Sequence, residues 1–247
     1  MRLDKFLEQQ NIGSKKSVRR LLQRKAVTVD GQIVIEENIN IDPTVHEIKV
    51  AGKRIRGAGH SYFLLNKPQG TVTAVKDAEH QTVIDLIREE DRKTGLYPVG
   101  RLDRDTEGLV LITDNGQLGY QLLHPSRKVT KRYLVTVNDR LTEEDCRCFS
   151  KGIVFIGGIQ CLPAELDILT SSSDRSKAYL DIKEGKFHQV KKMFLSVGKK
   201  VTYLKRISIG PIVLEDDLRS GDYRSLNQEE IRQLLPVVKK VNIDRNG

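Results

Sequence analysis

Gly100-Arg101-Leu102-Asp103-Arg104-Asp105-Thr106-Glu107-Gly108-Leu109-Val110-Leu111-Ile112-Thr113 sets five charges in its first eight residues directly against an apolar run. Leu109 to Ile112 reads as a buried strand, and Tyr97-Pro98-Val99 on the other side is also strand-like. The charged segment is therefore a loop held between buried elements, where a rigid scaffold aims reactive groups. An aspartate so placed serves as a nucleophile, a general base, a metal ligand, or a turn-former whose side chain caps a backbone N–H. No second Asp, Glu or His cluster has ligand spacing with it, which weakens the metal reading; the other roles stay open on the loop alone.

Outward from this loop the chain reads as many short strands with helices between them. Strands are expected at Tyr62 to Leu65, Gly70 to Ala74, Leu109 to Thr113, Lys131 to Val137, Gly152 to Phe155, Ala164 to Thr170, Ser176 to Ile182 and Arg206 to Ile209. Helices are expected at Thr82 to Glu89, Asn115 to Leu123, Thr142 to Lys151, His188 to Val197 and Asn227 to Leu235. Strands outnumber helices and often follow one another directly, so the class is α+β with a mixed, mainly antiparallel sheet; a doubly wound parallel sheet needs steadier alternation.

Residues 1–57 form a unit of their own. Leu3, Phe6 and Leu7 recur at helical spacing, Asn11-Ile12-Gly13 ends that helix, and Ser14 caps a second one that turns Val18, Leu21 and Leu22 inward. Val27-Thr28-Val29, Asp30-Gly31 and Gln32 to Ile35 read as a hairpin with a type I′ turn, and Val45 to Val50 as a further strand. Lys53-Arg54-Ile55-Arg56-Gly57-Ala58-Gly59 is the expected connector to a second domain, 58–247.

Forty-two Lys and Arg against thirty-three Asp and Glu give a net charge of +9, which favours polyanionic partners, nucleic acid first. In the first 25 residues eight basic side chains, Arg2, Lys5, Lys15, Lys16, Arg19, Arg20, Arg24 and Lys25, face only Asp4 and Glu8. A one-signed excess on consecutive helices suits a surface that tracks phosphates. No segment approaches the apolar length of a membrane span, and the start MRLDKFLEQQ lacks a signal-peptide core, so a cytoplasmic protein without membrane contact is expected. Cys146, Cys148 and Cys161 form neither a disulfide framework nor a zinc pattern.

Two further constellations carry chemistry. Glu184-Gly185-Lys186-Phe187-His188-Gln189-Val190-Lys191-Lys192-Met193-Phe194 places basic and amide groups around a helix start, which suits an anionic ligand. Lys131-Arg132-Tyr133-Leu134-Val135 puts Tyr133 on a strand, alternating with apolar neighbours.

Taken together, GRLDRDTEGLVLITDNG, LNKPQG at Leu65 to Gly70, KRYLV, EGKFHQVKKMF and LKRISIG at Leu204 to Gly210 resemble, in order, the RsuA-type rRNA pseudouridine synthases. The first 34 residues resemble an S4 RNA-binding domain. The resemblance implies a pseudouridine synthase fold with a central cleft, a reaction without cofactor or metal, and ribosomal RNA or a subunit-assembly intermediate as partner of a monomeric enzyme. It implies Asp103 as the catalytic aspartate, either attacking C1′ or starting elimination to a glycal. By the same resemblance Tyr133 stacks on the base, and Lys191, where the family usually has Arg, pairs with Asp103. A lysine supplies the charge without the planar bidentate fork. Asp105 falls to a bracing role with Thr106 and Gly108. Around the site, Lys67, Arg101, Lys186, His188, Gln189 and Lys192 are expected to hold RNA, with the eight basic residues of the first unit.

The short chain, without a long basic segment after Asn242-Ile243-Asp244-Arg245, points to small-subunit 16S rRNA as target. The alternatives are a 23S rRNA enzyme of the same family, and a non-catalytic S4-containing RNA-binding or ribosome-assembly protein. A nucleotide-dependent enzyme is disfavoured, because neither GxxxxGK[ST] nor a strand-borne GxGxxG is present.

Overall fold

The structure, a computed structural model, describes residues 1–235. Asn242 to Arg245 lie outside the described residues. Two compact units emerge: Met1–Ser61 with Asn115–Leu118 and the chain from Leu226, and Tyr62–Asp114 with Gly119–Ser225.

In the first unit α1 (Leu3–Gln9) and α2 (Lys15–Gln23) bury Leu3, Phe6, Leu7, Val18 and Leu22, the residues that helical periodicity puts on one side. They pack with Val27, Val29, Ile41 and Ile48 of a small sheet and its connections, and Leu21 sits half-buried at the edge of that core. The sheet order is β2-β1-β3-β4, from β1 (Val27–Val29), β2 (Gln32–Ile33), β3 (Ile48–Val50) and β4 (Lys53–Ile55). Asp30 and Gly31 both have positive φ, 50° and 77°, as a type I′ turn requires.

The expected connector at Lys53 is in part this fourth strand. Ala51 and Gly52, at φ 48° and 80°, make a second tight hairpin that pairs Val50 with Lys53 and Ile48 with Ile55. Gly52 marks the turn, but Ala51 carries no positive-φ signal, so the sequence shows only half of the pair a tight hairpin needs. The strand expected from Val45 is shorter, because Val45 and His46 instead close a turn onto the Asp42 carbonyl. Helix α6 (Gln228–Leu234), with its Asn227–Glu230 capping box, belongs to this unit and holds Val45 O with the Arg232 guanidinium.

The second unit is built on one sheet in the order β13-β5-β7-β11-β8-β10-β9. Its strands are β5 (Tyr62–Lys67), β7 (Glu107–Thr113), β8 (Lys131–Val137), β9 (Glu165–Ser171), β10 (Ser176–Ile182), β11 (Val201–Ile209) and β13 (Tyr223–Ser225). Two short strands, β6 (Tyr97–Val99) and β12 (Ile212–Val213), pair with β7 and β11. Every pairing is antiparallel except β7 with β11, which is parallel at Lys205–Glu107 and Arg206–Gly108. The architecture is the mixed, mainly antiparallel α+β one expected above. Helices α3 (Gly116–Leu123), α4 (Glu143–Lys151) and α5 (Gln189–Ser196) fall where the apolar spacing puts them.

Three expected elements differ. Thr82 to Glu89 forms consecutive turns ending in a 3₁₀ turn at Glu89–Asp91. Thr82 and Asp85 exchange side chain-to-backbone hydrogen bonds that close one turn, and Val83 and Ile87 bury themselves without a continuous helix. Gly70 to Ala74 and Gly152 to Phe155 are irregular segments, each holding a single bridge, Val72 to Thr82 and Val154 to Gln160.

The parallel junction is where the two halves of the sheet meet, and it needs Gly108. A β-carbon there would lie 2.2 Å from Arg206 O and 2.8 Å from Arg206 N, at φ 101°. Gly108→Ala is expected to lower the unfolding free energy by more than about 3 kcal/mol, from strain and from lost ladder pairing. Urea denaturation beside the parent chain measures it; an unchanged midpoint would mean that the junction relaxes freely.

Candidate active site

Strands β6 and β7 pair through Tyr97–Thr113, Pro98–Ile112 and Val99–Leu111, so residues 100–106 are the loop this hairpin holds out. Leu102 is buried and anchors the loop's centre, and its N–H and carbonyl both engage Thr73 Oγ1, at 3.2 and 2.9 Å. Thr106 N donates to Asp103 O at 3.0 Å, closing a tight turn around the aspartate. Gly70 N donates to Arg104 O at 2.9 Å, and Arg104 Nε donates back to Gly70 O at 3.2 Å. The LNKPQG segment is thus the bracket that sets the loop.

Lys67 is the centre of that bracket. It is fully buried, and its Nζ donates to the carbonyls of Pro68 (2.9 Å), Thr106 (2.9 Å) and Arg104 (3.3 Å). The expectation of an RNA contact at Lys67 is corrected: an ammonium enclosed by three backbone carbonyls does not reach a phosphate. Burial pushes its pKa down to about 8. Between about 8 and the ordinary lysine value of about 10.4 the unfolded chain keeps a proton that the folded chain has released, so this group makes stability rise with pH across that window. Activity runs the other way, because a neutral amine has two N–H donors for three carbonyls. The expected results are an alkaline decline in turnover beginning near pH 8, and a loss of about 2–4 kcal/mol of stability in Lys67→Met, which strands the loop carbonyls. Equilibrium unfolding and a pH–rate profile test both; a Met variant as stable as the parent would dismiss the bracket.

Facing the loop are β8 and the start of α5. Tyr133 is 7% exposed and lines a cavity with Asp103, Ile182, Leu204, His188 and Lys191. The turn into α5 is tied by Glu184, whose carboxylate accepts from Gln189 Nε2 (2.8 Å) and Leu162 N (2.9 Å) and pairs with Lys186. Gln189 Oε1 accepts from Lys186 N at 2.8 Å. Gln189 is therefore buried and fully engaged in the turn, and the expectation of an RNA contact there is corrected as well. His188 sits at φ 52°, a left-handed conformation for a non-glycine residue, and its Nε2 lies 3.5 Å from Asp103 Oδ1.

Lys191, on the first turn of α5, reaches both aspartates of the loop. Its Nζ is 3.4 Å from Asp103 Oδ2, and 2.6 and 2.8 Å from the two oxygens of Asp105. The Lys191 hydrogen bond holds the Asp105 carboxyl below the usual aspartate range. Asp105 was expected only to brace the loop; it also competes for this lysine.

Of the remaining expected RNA contacts, Arg101 and His188 are exposed at the cleft, and Lys192 is half-buried with its Nζ 5.0 Å from the Phe187 ring centroid. Arg2, Lys5 and Arg19 are exposed and paired with Asp4, Glu8 and Glu37. Lys15, Lys16, Arg20, Arg24 and Lys25 are exposed without an acid partner among the described residues. Sequence reasoning passed over Lys131 and Arg206 as site residues, although both lie in quoted motifs and line the cleft with Tyr133. The period-2 rule applied to Lys131 and Tyr133 was the available signal. Among the described residues no three His, Cys, Asp or Glu side chains converge as metal ligands would, and no helix is long and apolar enough to cross a membrane.

A sheet that aims a carboxylate, an aromatic ring and a lysine into one cleft, joined to a unit with a basic helical surface, is the build of an enzyme acting on nucleic acid. Comparison with known proteins specifies it. Residues 61–196 match the RNA pseudouridylate synthase family and residues 1–43 the S4 domain. The chain is 40% identical to the ribosomal small subunit pseudouridine synthase A of Yersinia pestis, over 94% of this chain and 97% of that one. It is 39% identical to the protein of the same name from Escherichia coli K12, over 95% and 100%, and 40% identical to the RNA pseudouridine synthase YtzG of Bacillus subtilis, over 95% and 98%. A crystal structure of a pseudouridylate synthase superposes with a TM-score of 0.66 at 34% identity, covering 95% of this chain and 99% of that one. The chain belongs to the RNA pseudouridylate synthase family, as an isomerase carrying an S4 domain.

Proposed function

We propose that this enzyme converts one uridine of ribosomal RNA to pseudouridine in the cytoplasm, that its target lies in small-subunit 16S rRNA, and that it acts as a monomer. The convergence of Asp103, Tyr133 and Lys191 on one cleft supports the chemistry most directly. The full-length match to two proteins named for the small ribosomal subunit supports the target.

In this reading the uridine is extruded from its stack, at a cost of a few kcal/mol, and its base rests against Tyr133. Asp103 attacks C1′ or removes a ribose proton to start elimination; in either case the C1′–N1 bond breaks and the base turns. C5 then joins C1′ as the Asp103–C1′ bond breaks or the ribose proton is returned, and the product loses its C5 proton and gains one at N1. Lys191 pairs with the carboxylate and orients it, and Arg101 holds the strand at the cleft mouth. Mapping pseudouridines in both rRNAs, with and without the protein, tests the whole reading. A new site in 23S rRNA alone would move the target, and none in either would remove the function.

The basic face of residues 1–57 supplies affinity in this scheme, while 58–247 supplies the chemistry. Each phosphate neutralised contributes about 0.7–0.9 to the slope of log affinity against log salt. Replacing Lys15, Lys16, Arg20 and Arg24 by Gln is therefore expected to flatten that slope by about 3 and leave turnover at saturating RNA within about twofold. Filter binding across a salt series, with single-turnover rates, checks it. An unchanged slope would place the RNA-binding charge elsewhere.

A further inference from the structure

Lys131 and Tyr133 stand two residues apart on β8 and so share a face of the sheet, and Arg206 on β11 is the cross-strand partner of Tyr133. All three line a cavity of 440 Å³ together with Asp103. Both basic residues are nearly buried, Lys131 at 7% exposure and Arg206 at 2%. Arg206 Nε donates to Leu109 O at 2.8 Å, and its Nη2 has no hydrogen-bond partner among the described residues. Lys131 Nζ donates only to Val129 O, at 3.2 Å, among the described residues.

The carboxylates around this cavity are already committed. Glu184 is tied to Lys186 and Gln189, and Asp103 faces Lys191 and His188. Two buried cations lining one cavity, without a carboxylate of their own, are unfavourable on their own. Burial and the neighbouring Arg206 together push the Lys131 ammonium below the ordinary lysine pKa. A fold carries such an arrangement where a ligand brings the missing negative charge.

The position selects which part of the RNA that is. Phosphates stay with the strand at the surface, whereas the base of an extruded nucleotide enters deepest. A base stacked on Tyr133 directs its edge at the residues beside Tyr133 on the sheet. We propose that Arg206 and Lys131 receive the carbonyl edge of the uracil and hold the negative charge it gains when the C1′–N1 bond breaks. The electron pair of that bond leaves with N1 and spreads to O2 and O4, while C1′ bonds to Asp103 or is relieved by loss of the ribose proton. Donors fixed where charge develops stabilise the transition state without reorganisation. The assignment rests on Asp103 as the reacting group.

The test is single-turnover kinetics of Arg206→Gln and Lys131→Met on uridine RNA and on the same RNA with 5-fluorouridine at the target, following loss of the N-glycoside. Fluorine makes the base a better leaving anion. Arg206→Gln is expected to lower the rate on uridine about 100-fold with KM and salt slope unchanged, and to lose less than about tenfold on 5-fluorouridine. Equal losses on both bases would reduce the pair to a structural role and overturn the proposal. A raised KM with a flatter salt slope and an intact rate would make them phosphate contacts, which also overturns it. Should Arg206→Gln fail to fold, Lys131→Met decides by the same comparison. Failure of the parent enzyme to act on either RNA would count against the proposed function on which this assignment rests; a working parent with equally fast variants would count against this proposal alone.

Discussion

Asp103→Asn folds, binds RNA as the parent does, and forms no pseudouridine: this is the largest effect expected of any substitution in the chain. The substitution keeps the volume of the side chain and the turn that Thr106 N closes onto the Asp103 carbonyl. The loop's other supports, from Lys67, Thr73 and Gly70, are all backbone contacts that the side chain does not enter. What disappears is the carboxylate, the only group at this position able to attack C1′ or accept a proton. A loss of at least about 10³-fold in single-turnover rate, with unchanged Kd and unfolding midpoint, is expected. Asp105→Asn is the control. Asp105 is the more exposed of the two, and its removal leaves Lys191 with Asp103 as its remaining acid partner, so the loss is expected to stay within about tenfold. Measurable turnover by Asp103→Asn would end the assignment of this carboxylate as the reacting group.

The same loop shows what a sequence discloses and what it hides. Charges placed directly against Leu109 to Ile112 disclosed a loop on a buried hairpin, because strands and loops differ in composition over a few residues. The periodicity of α1, α2, α4 and α5 was legible for the same reason: one face of each is buried and the other is wet. Lys67 was misread because a lysine in a basic protein next to Pro and Gly has every local mark of a surface residue. Its burial depends on Arg104 and Thr106, 37 and 39 positions further along the chain. Gln189 was misread because its amide is consumed by Glu184 and by the Lys186 backbone, a closed local network that composition does not report. Arg206 illustrates the same limit from the other side. Its partners Gly108 and Tyr133 are adjacent only once β11 lies between β7 and β8, and no short-range pattern encodes that strand order.

Lys191 poses the second large effect, since one ammonium is shared between two carboxylates. In the structure it lies closer to Asp105, at 2.6 Å, than to Asp103, at 3.4 Å. If its function is to hold Asp103 ready, Lys191→Met is expected to lower kcat about 100-fold with little change in KM, because the lost interaction serves the reacting group and not the binding of RNA. Lys191→Arg is expected to retain activity or improve it, as a planar fork engages two carboxylate oxygens at once. Adding Asp105→Asn separates the two partners. In the parent that change removes a competitor for the lysine, while in Lys191→Met it removes a second carboxylate that would otherwise stand uncompensated beside Asp103. The two substitutions are therefore expected to be non-additive, with the double variant no worse than Lys191→Met alone. Lys192 is no substitute, because its Nζ is turned to the Phe187 and Phe155 rings, 5.0 and 5.7 Å from their centroids. Full activity in Lys191→Met would show that His188, 3.5 Å from Asp103 on the other side, carries the pairing instead; His188→Ala in that background would then abolish turnover, where in the parent background it is expected to cost less than about tenfold.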